Sequence, residues 1–173
     1  MIKKVVLGVS LALMTASYSF AQTAQATQTP DQRAKAKSEA VAKFIDSKIT
    51  DAAKKLTVGQ KKSMKDAQLA YETGMDSVKS ARAELPKRVE EIKAKAAAVP
   101  KEVESEEAAA KAKAENEAVL QMQEALKADQ SALNARPDQL KSKLEEDMKK
   151  VFKGDQLKAY EQMLAEQKAK KKS

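Results

Sequence analysis

Val78, Leu85, Ile92 and Val99 fall seven residues apart, and Met75, Arg82, Val89 and Ala96 stand three before each of them. This repeat keeps both sets on one helical stripe, so the segment is committed to pairing with another helix along that stripe. A second seam follows at Val119, Leu126, Leu133 and Leu140, reinforced by Met122 and Leu144. Pro100 lies between the two. Seams flanking a proline-marked turn predict an antiparallel helical hairpin; one long bent helix paired with a partner chain also fits. No segment shows the alternation of a strand. The fold class is therefore all-α, an elongated helical hairpin or bent helical bundle with coiled-coil seams.

Capping signals place the helix starts. Thr29-Pro30-Asp31-Gln32 offers a cap hydroxyl, a proline whose missing N–H costs nothing in the first turn, an early acid and a Gln that closes a capping box. A first helix is expected from Pro30 to about Lys55, with Val41, Phe44, Ile45, Lys48 and Ile49 on one stripe. Thr57 to Gln60 is a second capping box, preceded by Leu56, which can staple against Lys61 to Met64. Pro86 is expected to kink or restart the helix near Leu85, and Asn134 to Gln139 to break it again, leaving a helix from Pro137 to Val151. Phe152 to Gln156 is the last break, where Gly154 ends one helix and Asp155 can cap the next.

Lys3 and Lys4 precede an apolar run from Val5 to Met14, and Ser19-Phe20-Ala21 ends in small residues before Gln22. That is the pattern of a secretory signal peptide over 1–21, far short of the roughly 20 apolar residues of a membrane span. The expected mature chain starts with a disordered leader, 22–28, followed by a single helical domain over 29–173 that ends in the basic run Lys168 to Lys172. That run reads as a solvated helix end. Export and the lack of a basic patch interleaved with aromatics argue against nucleic acid as a partner, and no stable membrane insertion is expected. The net charge of +8 favours anionic surfaces or acidic clients.

The chain has no His, Cys or Trp. Zinc sites built on His or Cys, thiol chemistry, Ser-His-Asp triads and disulfides are thereby excluded. Adjacent carboxylates such as Glu90/Glu91, Glu106/Glu107 and Glu145/Glu146 splay to different faces of a helix. The reading is not an enzyme, with no metal, cofactor or P-loop.

Set side by side, Leu56-Thr57-Val58-Gly59-Gln60 and Phe152-Lys153-Gly154-Asp155-Gln156 each follow a Lys-rich helix end and place a bulky apolar residue four before a Gln. This arrangement resembles the Spy/CpxP family of periplasmic chaperones and stress adaptors, which carry two Leu-Thr-x-x-Gln motifs. The second site departs from the motif, with Phe152 for Leu and Lys153 for Thr. The resemblance implies an all-helical, cradle-like homodimer in the periplasm that holds unfolded clients without ATP. Its motif residues here would be Leu56, Thr57, Gln60, Phe152 and Gln156.

Candidate client contacts beside those corners are Met64, Tyr160 and Met163 with Lys61, Lys62 and Lys65: adaptable apolar groups next to mobile cations. The alternatives are a coiled-coil adaptor of the cell envelope, binding one partner through a seam, and a chaperone like the Skp/OmpH group. The latter needs a small β-body for which this chain offers no strand.

Overall fold

A computed structural model describes residues 28–100, 102 and 105–170. The signal peptide expected over 1–21, nearly all of the expected leader and the last residues of the basic tail lie outside them. Every regular element among the described residues is helical: α1 (Pro30–Lys48), a single 3-10 turn (Ala52–Lys54), α2 (Val58–Ala98), α3 (Glu106–Val151) and α4 (Asp155–Lys170). Where the sequence suggests a single domain, these helices pack as two units. One is Lys79–Ala135, and the other combines 28–78 with 136–170.

In the unit formed by Lys79–Ala135, α2 and α3 form the expected hairpin. Lys95 reaches the Met122 sulfur, Arg88 pairs with Asp129, and Arg82 meets Leu133 and Asn134. The partner's number rises as the first falls, so the helices are antiparallel and hold one register. Ile92, Val99, Ala112, Val119 and Leu126 are buried together, with Leu85, Val89, Ala96 and Met122 packed around them. The two seams thus bury against each other within one chain.

The second unit builds its core from α1, the corners and α4. Ile45, Met64 and Met148 are fully enclosed, with Leu56, Phe152, Tyr160 and Met163 around them. Thr29 caps α1 as a complete capping box: its hydroxyl accepts from the Gln32 N–H at 3.3 Å, and its own N–H donates to Gln32 Oε1 at 2.9 Å. Gly74 lets α3 come close to α2, since a Cβ there would stand 2.6 Å from a Leu140 methyl.

Four boundaries differ from those expected. First, α1 stops at Lys48, not Lys55. Ile49 turns to extended backbone and is buried there, while Asp51 caps the 3-10 turn by accepting from the Ala53 N–H at 3.0 Å. Two successive β-branched residues followed by an Asp that bonds its own backbone favour that departure. Second, Pro86 neither breaks nor restarts α2, which runs through it. Packing of Leu85 and Val89 into the hairpin offsets the lost backbone bond.

Third, Pro137 sits inside α3 in the same way, so no helix begins there. A proline at 137 removes the N–H that would bond the carbonyl four residues earlier, that of Leu133. The Arg82 guanidinium donates to that carbonyl instead, at 3.0 Å. This also explains an arginine in an otherwise apolar seam. Fourth, Asp155 does not cap α4 but is its first residue, paired with Lys54 at 3.4 Å and Lys158 at 3.9 Å.

Candidate functional site: two crossed corners

The two corner segments lie against each other in the second unit. At the first, Gln60 Oε1 accepts from the Thr57 N–H at 3.0 Å, and the Thr57 hydroxyl accepts from the Gln60 N–H at 3.2 Å. At the second, Gln156 Oε1 accepts from the Lys153 N–H at 3.3 Å. Lysine has no hydroxyl to complete the box. There the Gln156 N–H donates to the Lys153 carbonyl at 3.0 Å, in a tight turn opened by Gly154 with φ of 51°. The backbone thus replaces the hydroxyl, which is why the second corner keeps its shape without Thr.

Each glutamine then reaches across. Gln60 Nε2 donates to Gln156 Oε1 at 2.7 Å and to the carbonyl of Val151, the last residue of α3, at 2.8 Å. Gln156 Nε2 donates to the carbonyl of Lys54, the last residue of the 3-10 turn, at 2.9 Å. Both carbonyls are helix-end acceptors without an intrahelical partner. The two glutamines therefore close their own corners and cap the segment before the other.

The apolar members sit beneath this bond. Leu56 and Phe152 are both buried, and the Phe152 and Tyr160 rings stack tilted with centroids 4.8 Å apart. Burial, aided by the Glu145 charge, pushes the Tyr160 hydroxyl up to about 12. Asp46 ties α1 to the first corner by accepting from the Leu56 N–H and from Lys61, each at 2.9 Å. Its burial raises its pKa, but the Leu56 N–H and the Lys61 cation outweigh that and hold it below the usual range.

A second polar cluster fastens α1 to α2. Glu72 is buried, and accepts from Lys37 at 2.6 Å, Arg33 at 2.9 Å and Gln68 at 3.1 Å. Arg33 also reaches Asp76 at 2.6 Å. Burial pushes the Glu72 carboxyl up, but these partners together hold it below its ordinary value.

The motif residues Leu56, Thr57, Gln60, Phe152 and Gln156 are brought together. The candidate contact residues divide. Lys61 and Lys62 are exposed and Lys65 is half-buried, paired with Asp46, Asp66 and Asp31 respectively. Met64, Tyr160 and Met163 are buried core residues, with only Met163 keeping as much as 9% of its surface. Spacing beside a corner could not separate a staple from a surface, and Met64 is the staple, packed with Leu56 in one core. Among the described residues, no three acidic side chains converge as a metal site, and no helix is long and apolar enough to cross a membrane. No family model, curated protein or solved structure matches the chain.

Proposed function

We propose that this protein is an ATP-independent holdase of the periplasm, acting as a homodimer on unfolded or aggregation-prone envelope proteins. The observation that carries this reading is the Gln60–Gln156 bond. It joins the two segments on which the resemblance rests into one structural element, with each glutamine bonded to a helix-end carbonyl of the opposite corner. Exposed lysines beside the corners give long-range attraction for anionic segments. With Met64, Tyr160 and Met163 enclosed, apolar client contact falls to half-buried side chains such as Leu85, Val89 and Met122.

The test is light scattering of two unrelated unfolding proteins, with and without this one, in the absence of ATP. Protection of both supports the holdase. Protection of neither, with saturable binding of one partner at fixed stoichiometry, would favour the envelope adaptor.

A further inference from the structure

The net charge of +8 is concentrated in two short stretches: residues 54–62 and 149–158 hold eight lysines against a single acid, Asp155. They are distant in sequence. The bonds from Gln60 to Gln156 and from Gln156 to the Lys54 carbonyl set them side by side, and all eight lysines are exposed. Acids outside the two stretches answer only part of this charge, with Asp46 on Lys61, Asp66 on Lys62 and Asp147 on Lys150. Among the described residues, Lys149 and Lys153 have no acid within ion-pair distance.

Val58 stands in the same place. It is 86% exposed, at the first position of α2 between Lys55 and Lys61. A lone exposed valine is ordinary. One with exposed lysines three residues before and three after it combines the two groups that a lipid surface takes up: amines for headgroup phosphates, and an apolar side chain for the interface.

We infer that the crossed corners are a peripheral docking surface for an anionic lipid bilayer. A backbone that still offered free N–H and carbonyl groups would suit an extended polypeptide. Here the Thr57 and Lys153 N–H groups are taken by the glutamine of their own corner, and the Lys54 and Val151 carbonyls by the glutamine of the other. What the two corners leave exposed is a set of lysines and one apolar side chain, suited to a fluid sheet of phosphates. Its lysines include Lys61 and Lys62, which the proposed function also uses for clients, and vesicle binding in the absence of any client reads the surface apart from that function.

The experiment is co-sedimentation of the expected mature chain, starting at Gln22, with vesicles of phosphatidylglycerol and, separately, of phosphatidylcholine. It is run at about 0.1 M and about 1 M salt, between which the screening length falls from about 10 to about 3 Å. Binding to the anionic vesicles alone, lost at high salt, is expected. Replacing Lys54, Lys55, Lys153 and Lys158 together by Gln should weaken it by about tenfold or more. Replacing Lys35, Lys43, Lys111 and Lys127 by Gln removes the same charge elsewhere and should weaken it by less than about threefold. Val58→Ser should weaken it while leaving the charge intact. Thermal unfolding of each variant checks that it is folded.

Equal losses from the two quadruple variants would overturn the surface in favour of net charge alone. No binding to phosphatidylglycerol at low salt would also overturn it. Binding to polyglutamate but not to vesicles would assign the patch to an acidic polypeptide.

Discussion

Arg82 donates to the carbonyl of Leu133 at 3.0 Å, and that carbonyl is the one left without a partner by Pro137. A side chain from one arm of the hairpin thus repairs a backbone defect in the other, and α3 stays continuous where its proline predicts a break.

Arg82→Ala should cost about 1–3 kcal/mol, because it removes a charge-assisted bond and leaves a carbonyl without its donor. Pro137→Ala restores the backbone N–H, so the same arginine change should then cost less, with a coupling of about 1 kcal/mol. Denaturant unfolding of the four proteins measures it. Strict additivity would mean that Arg82 acts through some other contact.

Gln60→Ala and Gln156→Ala each strip a donor from a helix-end carbonyl and from the opposite glutamine. Each should cost about 1–3 kcal/mol, and the double variant less than the sum, since the bond between them is lost only once. Thr57→Ala should cost about 1 kcal/mol as a lost cap. Equilibrium unfolding of the set separates these values.

The Glu72 cluster gives a pH dependence. A carboxyl held below its unfolded value of about 4.3 adds stability above that pH, and the contribution disappears as pH falls through the folded value. Asp46 acts in the same direction. Thermal midpoints should therefore fall on acidification below about pH 5. Glu72→Gln should lower the midpoint at pH 7 and make the fall shallower, because position 72 then has no charge to lose and only groups such as Asp46 contribute.

Asn116 is buried on the hairpin seam with neither amide atom bonded among the described residues. Asn116→Leu keeps nearly the same shape without the desolvated amide. Unfolding measurements should show a gain of about 1–2 kcal/mol.

The seams and caps were legible because each rests on spacing within one helix: Ile92 and Leu126 announce their burial by the heptad, and Thr29 and Thr57 announce their boxes by the Gln three residues on. Interactions between distant segments left no such mark. Nothing near Pro137 indicates that Arg82 will reach Leu133, so a local rule predicted a break that a tertiary contact prevents. Corner residues were legible as a pair, but not the bond between Gln60 and Gln156, since alignment shows likeness and not contact. Met64, Tyr160 and Met163 were misplaced on the surface for the same reason: their burial depends on α1 and α4 closing over the corners.

The most direct test of the crossed corners as a functional element compares the native protein with the Gln60→Ala/Gln156→Ala variant. Both are assayed by light scattering against two unrelated unfolding proteins without ATP, at a temperature where circular dichroism shows both folded. The native protein should suppress the scattering of both clients, and the variant should do so several-fold less well at the same molar excess. Equal protection by the two proteins, or none by the native one, would contradict the account.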